Sequence, residues 1–277
     1  METVHSIADM RAALAGRGRV AFVPTMGNLH DGHIAIMEQA RDYAPTVVAS
    51  IFVNRLQFGA NEDFDLYPRT LDDDQARLVT AGVDLLFAPN EATLYPTPQR
   101  YLVDPPDIQH ELEGRVRTGH FRGVATVVLK LLNVVRPDVA LFGKKDYQQL
   151  IVLRDMVEQL ALPVRVVPVE TVRADDGLAL SSRNRYLNAE QRAEAPRLHR
   201  VLTEVCESIC RGDRNLRKLE IGGEYELAAH GWTPDYVAIR RQGDLEPPSG
   251  TDRQLVVLGA ARLGATRLID NVELPLD

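Results

Sequence analysis

Two cysteines in 277 residues exclude a scaffold built on disulfides. Cys206 and Cys210 share one face of a predicted helix and read as small core residues in a reducing compartment; a metal site needs more ligands. Long hydrophobic runs are also lacking. The best candidate for a membrane span, residues 124–135, is interrupted by Lys130 and Asn133. An excess of positive charge is absent: the formal net charge is -7 with both signs mixed, which argues against nucleic acid as the main partner and leaves room for a local basic pocket. The opening METVHSIADMRAAL carries acids at helical spacing instead of the apolar block of a secretion signal, so a cytoplasmic protein is expected. Three motifs are missing too. The lack of GxxxxGK[ST] argues against a P-loop, and the lack of GxGxxG after a strand against a nicotinamide fold. No GxSxG occurs, and Ser181-Ser182 lacks the strand-to-helix context of a hydrolase nucleophile.

What is present is organised around residues 19–40, RVAFVPTMGNLHDGHIAIMEQA. The β-branched and aromatic run at 20–23 predicts a strand, and Pro24-Thr25-Met26-Gly27 a turn. Ile34, Met37 and Ala40 have helical spacing, so the chain enters a helix through His30-Asp31-Gly32-His33. A helix N-terminus presents unpaired N–H groups and partial positive charge, which suits an anionic ligand. His30 and His33 fall on the same side of that first turn.

The same rhythm continues. Residues 5–16 predict a short amphipathic helix. Residues 46–53, TVVASIFV, predict a strand covered on both faces, which runs into the polar loop Asn54-Arg55-Leu56-Gln57-Phe58-Gly59. Thr70-Leu71-Asp72-Asp73 is a capping signal for a helix to residue 81, and 83–87 a strand. Residues 88–122 predict an irregular wall. A buried helix at 124–135 ends before Pro137. The strand at 138–142 leads at once into Gly143-Lys144-Lys145-Asp146 and a helix carrying Gln149, and 164–169 is a further strand. This alternation implies an α/β fold with a Rossmann-like parallel sheet, whose ligands bind beyond the carboxyl ends of the strands. After residue 172 the rhythm stops. A loop ends in Leu180-Ser181-Ser182-Arg183-Asn184, one long helix is predicted at 189–211, another at 213–230, and strands at 236–240, 255–260 and 266–269. Two domains are therefore expected: residues 1–172, with the parallel sheet, and 173–277, a smaller α+β domain. The clusters beyond the strand ends are cations, imidazoles, hydroxyls and amides with few acids, a set suited to a polyphosphate and a polar organic substrate.

His30-Asp31-Gly32-His33 resembles the HxGH signature of the nucleotidyl-transferring Rossmann-like superfamily. PTMGNLHDGH, FVNRLQFG, YPRT, HFRGV, FGKKDYQQL and DGLALSSRN, in that order, closely resemble the pantoate–β-alanine ligase family over residues 19–187, and the closing RLIDN is similar as well. The resemblance implies that ATP and pantoate give pantoyl adenylate and pyrophosphate, with Mg2+ assisting. The amine of β-alanine then displaces AMP to give pantothenate, a coenzyme A precursor. It also implies a homodimer acting on small molecules, with no nucleic-acid or membrane partner.

Carried over residue by residue, Met26, Gly27, Asn28, Leu29, His30, Asp31, Gly32 and His33 match the family's ATP-binding loop. Within it, His33 takes the proton-donor or charge-stabilising role, with His30 its partner at the phosphates. Gly143, Lys144, Lys145 and Asp146 match a second ATP segment, Lys145 being the lysine at the phosphates. Leu180, Ser181, Ser182 and Arg183 match the mobile phosphate-binding segment, and Val172 a backbone contact to adenine. Gln57 and Gln149 match the glutamines that hold pantoate; Gln57 also borders the β-alanine site, with Asn54 beside it. His33, His30 and Lys145 are the expected catalytic set, and no metal ligand is assigned.

Two positions depart from the family pattern: Arg55 where proline is usual, and Lys144 where glutamate is usual. They bear on loop geometry and binding, not on the reaction. Asp72-Asp73-Asp74 reads as a solvated helix start whose acids suit the dipole, in preference to Mg2+ ligands. Taken singly, His120 reads as an exposed loop residue, Arg122 as an ion-pair partner and Ser181-Ser182 as turn residues. Another nucleotidyltransferase of the superfamily and a nucleotide-binding module without catalysis stay open beside the ligase; the intact His30, His33, Lys145 and Arg183 speak against the module.

Overall fold

The computed structural model describes residues 1–59 and 64–275. The chain divides into two compact units: Met1–Lys144 with Val152–Glu170, and Lys145–Ile151 with Thr171–Asp277. In chain order the elements of the first are β1 (Glu2–Val4), α1 (Ile7–Leu14), β2 (Val20–Thr25), α2 (Asp31–Ala40), β3 (Thr46–Ile51), α3 (Leu71–Thr80) and β4 (Leu85–Phe87). There follow α4 (Glu91–Leu94), α5 (Glu113–Val116), α6 (His120–Val135), β5 (Val139–Gly143), α7 (Tyr147–Gln159) and β6 (Arg165–Val169). The start of α7, as far as Ile151, groups with the second unit.

The six strands form one parallel sheet in the order β1-β4-β3-β2-β5-β6, as the alternating rhythm predicts. Both faces are covered, which is why β2 and β3 read as continuous apolar runs. Ala21, Val23, Val47, Ala49, Val139 and Leu141 share one face and pack against Met37 and Ala40 of α2 and Leu78 of α3. Phe22 and Val48, one residue out of step, are fully buried on the other, where α6 meets β2. Two elements differ from expectation. β1 is a three-residue edge strand, too short and too polar to show as a periodic pattern. α6 begins at His120 instead of 124, because Gly119 takes a left-handed conformation (φ 80°) and lets the HFRG segment become its first turn.

The second unit contains α8 (Ala189–Glu194), α9 (Arg197–Cys210), α10 (Leu216–Ala229) and an antiparallel meander of β7 (Trp232–Arg241), β8 (Gln254–Leu263) and β9 (Thr266–Pro275). The single helix expected over 189–211 is two helices. Pro196 has no N–H to continue α8 and instead opens the next helix. Leu198, Val201, Leu202, Val205 and Ile209 form the inward stripe of α9, packed on Val237, Ile239, Val257 and Ala261. Cys206 lies in that core, whereas Cys210 is exposed, so only one of the two cysteines is the core residue expected. No helix among the described residues is long and apolar enough to cross a membrane.

Candidate active site

β2 is flanked by β3 on one side and β5 on the other. The chain leaves β2 toward β3 and later returns to its opposite side, so the crossovers diverge and open a crevice at the carboxyl edge. Thr25 pairs with Ile51, and Phe22 with Ala140, which puts Gly143 level with Thr25. Three loops therefore leave the sheet at one height, spaced by strands about 4.8 Å apart. They carry Met26 to His33, Asn54 to Gln57, and Gly143-Lys144.

The loop after β2 is held by its main chain. Thr25 Oγ1 donates to Ser50 O (2.8 Å) and accepts from Gly27 N (3.2 Å). Gly27 has φ 81°, and a Cβ there would stand 2.9 Å from Asp74 Oδ2 and 3.0 Å from Ile51 Cγ2, so only glycine fits. Asn28 is left-handed as well (φ 51°). Asn28 N and Leu29 N donate to the two oxygens of Asp74 at 2.9 and 2.7 Å, and the Thr70 hydroxyl adds a third donor at 3.1 Å. Asp74 is 2% exposed. The solvated helix start is thus true of Asp72 and Asp73 and false of Asp74, which is the buried anchor of the loop after β2. Thr70 precedes α3 as expected, but its hydroxyl serves Asp74 instead of capping the helix.

His30 is the N-cap of α2, and the two imidazoles complete the cap between them. Gly32 N donates to His30 Nδ1 (3.2 Å) and His30 N donates to His33 Nδ1 (3.3 Å). With both Nδ1 atoms accepting, each neutral ring carries its proton on Nε2. The rings lie 4.1 Å apart, tilted by 42°. The result is two N–H donors beside the positive end of a helix.

The loop after β3 is built as tightly. Asn54 (1% exposed) donates from Nδ2 to Gln57 Oε1 and to Gly123 O, both at 3.1 Å, and accepts from the Tyr95 hydroxyl at 2.9 Å. Burial first, and Glu91 second, push the Tyr95 hydroxyl up from its usual range, so it stays a donor. Gln57 is buried too, with Nε2 3.1 Å from Met26 Sδ, which joins this loop to the first. His120, expected to be an exposed loop residue, is buried; it donates from Nδ1 to Gln57 O (2.9 Å) and accepts from Arg117 at Nε2 (2.9 Å). Arg122 does pair with an acid, bidentately with Asp104 at 3.0 and 2.9 Å. The guanidinium of Arg55 stacks 3.8 Å from the Phe64 ring centroid, within 4 Å of Asp65 and Glu91 oxygens, so its extra charge is met. At the third loop Lys144 pairs with Glu170 at 2.5 Å, which answers the second departure in the same way.

The other candidates belong to the second unit. Lys145, Gln149 and the segment 172–183 are there, with Asp146 exposed and Gln149 half-buried. Asn271 Nδ2 donates to Lys145 O (3.1 Å), while no hydrogen bond or ion pair of Lys145 Nζ occurs among the described residues. Val172 O accepts from Leu180 N (3.0 Å), closing a narrow hairpin with the Arg173–Ala179 bridge. Ser181 caps the 3-10 turn Ser182–Tyr186, its Oγ accepting from Arg183 N (3.3 Å).

Reasoning from the sequence missed Asp74, Tyr95, Gly123 and Asn271. Asp74 had a usable signal: it precedes Leu78 by one helical turn and so lies on the inward stripe of α3. Tyr95 lies in irregular chain, where no period applies.

A model of the pantoate-beta-alanine ligase family matches residues 2–273. The chain is 56% identical over 277 residues to the pantothenate synthetase of Neisseria meningitidis serogroup C, covering 100% of each. It is 57% identical over 274 residues to that of Chromobacterium violaceum, covering 99% of each. Among solved structures it is similar to pantothenate synthetase from Thermus thermophilus (TM-score 0.94, 48% identity, 99% of this chain and 100% of that one). It is also similar to pantoate-beta-alanine ligase from Francisella tularensis complexed with beta-gamma ATP and beta-alanine (TM-score 0.77, 31% identity, 98% and 97% of the chains).

Proposed function

The chain belongs to the pantoate–β-alanine ligase family, and from that premise we propose how its own residues divide the work. The enzyme condenses pantoate with β-alanine in an ATP-dependent reaction through pantoyl adenylate. In the first half a carboxylate oxygen of pantoate attacks the α-phosphorus and pyrophosphate leaves. In the second the neutral amine of β-alanine attacks the acyl carbon, loses its proton, and AMP leaves. The attacking carboxylate belongs to the substrate, so the protein supplies donors, cations and position.

The loop from Met26 to His33 is assigned to ATP. Its anchor on Asp74 fixes the main chain, and the Nε2–H groups of His30 and His33 meet charge that moves onto the phosphates during adenylation. Losing one such donor typically costs roughly 3 kcal/mol in the barrier. Gln57 is assigned to pantoate and to the border of the β-alanine site, with Asn54 beside it. Both are buried, and Asn54 Nδ2 donates to Gln57 Oε1 (3.1 Å), which orients the Gln57 amide from within its own loop. Gln149 is assigned to pantoate. Lys145, Ser181, Ser182 and Arg183 are assigned to the phosphates, Gly143, Lys144, Asp146 and Leu180 to the ATP contacts around them, and Val172 to adenine.

Mg2+ would assist adenylation, as the family resemblance implies, by meeting charge that develops on the phosphates. Residues 1–172 as the nucleotide- and pantoate-binding domain, residues 173–277 as a lid, a homodimer and a cytoplasmic location complete the proposal on the family resemblance.

The observation that carries the assignment is the pair of Nδ1 acceptors, which turns both imidazoles into Nε2–H donors at the α2 N-terminus. The test is pantoate-dependent exchange of pyrophosphate into ATP without β-alanine. His33→Ala should slow exchange by roughly 10²- to 10³-fold with the circular dichroism of the native enzyme retained. Wild-type exchange in His33→Ala and in His30→Ala would remove both from the chemistry.

A further inference from the structure

β9 reaches two separate parts of the second unit, one from each of its faces. Side chains alternate along a strand, so Asn271 and Glu273 share a face and Asp270 takes the other. On the first face Asn271 Nδ2 donates to Lys145 O (3.1 Å), and Glu273 Oε1 accepts the Tyr147 hydroxyl (2.8 Å). On the second, Asp270 receives the Arg173 guanidinium bidentately at 2.6 and 2.9 Å. Arg173 also donates to Asn271 O (3.2 Å) and to Gly177 O (3.1 Å), across its own hairpin. That hairpin leads directly into Ser181, Ser182 and Arg183.

The pairing is strongly held. Asp270 and Asn271 are 5% and 6% exposed, and Asn271 N donates to Asp270 Oδ1 (2.8 Å). A buried carboxylate needs a matching cation. His199 lies 3.6 Å from Asp270, but burial and the Arg173 charge lower its pKa, so it does not supply that cation. Arg173 does. Removing Arg173 leaves the buried Asp270 carboxylate without its cation, and removing Asp270 frees the half-buried guanidinium from β9, so the pair ties the hairpin to β9.

We propose that Asp270 and Asn271 are positioning residues for adenylation, fixing the main chain at Lys145 and at the base of the Ser181–Arg183 segment so that both sets of phosphate contacts share one frame. The inference rests on the assignment of Lys145 and Ser181–Arg183 to the phosphates. It explains why Lys145 is held by its carbonyl while its ammonium makes no bond among the described residues: the backbone is fixed and the charged head is left to the ligand.

A double-mutant cycle on the full-length enzyme tests it, read as kcat for pantoate-dependent pyrophosphate exchange. Asn271→Ala should lower kcat by roughly 10- to 100-fold, the effect of a displacement of about 1 Å at a reacting group. In the Lys145→Ala background the same change should cost nothing further, because Asn271 acts through Lys145. A merely structural asparagine gives multiplicative losses instead. Lys145→Ala slow with Asn271→Ala at the wild-type rate, or with multiplicative losses, overturns the positioning role and leaves the phosphate assignment standing. Lys145→Ala at the wild-type rate overturns the assignment, and the positioning role with it. Should Asn271→Ala lose the native circular dichroism, Asn271→Ser repeats the cycle. Asp270→Asn against Arg183→Ala reads the other arm by the same criterion.

Discussion

Gly123→Ala adds one methyl group where α6 crosses the loop after β3, and its consequences can be worked from the geometry. The new Cβ would stand 2.2 Å from Leu56 O, 2.4 Å from Leu56 C and 2.6 Å from Gln57 Cα. Carbon atoms rest about 3.5–4.0 Å apart, so the two segments must separate by roughly 1 Å. All three obstructing atoms are main chain, and none can rotate aside. The same separation stretches Asn54 Nδ2 to Gly123 O (3.1 Å) and His120 Nδ1 to Gln57 O (2.9 Å) beyond hydrogen-bond range. Overpacking costs about 1–3 kcal/mol. Each hydrogen bond adds about 1 kcal/mol. The expected destabilisation is therefore about 3–5 kcal/mol, read as a lowered midpoint in urea at unchanged slope. A 1 Å displacement of Gln57 should also reduce kcat/KM for pantoate by on the order of 100-fold. The ATP constants should move much less, because the β2–α2 loop has its own anchor in Asp74. Wild-type pantoate kinetics together with a wild-type urea midpoint would refute the reasoning.

Asp74→Asn keeps the shape of the anchor but turns an amide N–H₂ toward a main-chain donor. One buried donor loses its acceptor, at about 1–3 kcal/mol, and the ATP KM should rise; an unchanged ATP KM would show that the loop needs no anchor. Burial and Arg173 hold the His199 imidazole below its usual pKa of 6.5, so on acidification the unfolded chain binds that proton before the folded one. Stability from this group is complete above pH 6.5 and is lost as pH falls from there toward the folded-state value. Urea midpoints measured across that range should fall, and His199→Gln should flatten the slope; equal slopes would dismiss the effect.

The parallel sheet was legible because its strands are buried on both faces and its helices carry an apolar stripe, so each element announced itself by period. The three loops at the carboxyl edge were legible as polar clusters that follow those strands. What holds the loops was not. Asp74 sits in a run of three acids, and nothing local distinguishes it from Asp72 and Asp73 except its place above Leu78. Gly123 reads as an ordinary glycine because its need comes from Leu56 and Gln57, far away in sequence. His120 looks like surface until α6 is known to start there. Asp270 and Asn271 stand on a strand whose polar end made it seem to stop at Ile269. In each case the deciding contact is long-range, and period and propensity carry no information about it.

Those unreadable residues share one physical task. Fixing one residue of a loop costs about 1–2 kcal/mol of backbone entropy, and adenylation needs several loop residues fixed before charge begins to move. Longer side chains reaching for the ligand would not supply this, since the disorder lies in the main chain beneath them. The remedy here is a buried polar side chain from elsewhere in the same unit, bonded to loop backbone. Asp74 takes the N–H groups of Asn28 and Leu29, His120 bonds the carbonyl of Gln57, and Asn271 bonds that of Lys145. A polar group used this way must itself be buried and satisfied, which is why these anchors sit on regular elements, α3, α6 and β9, and not on the loops. It follows that a substitution at an anchor should change where a loop group stands without changing what that group is, so its expected signature is a rate that falls with the chemistry intact.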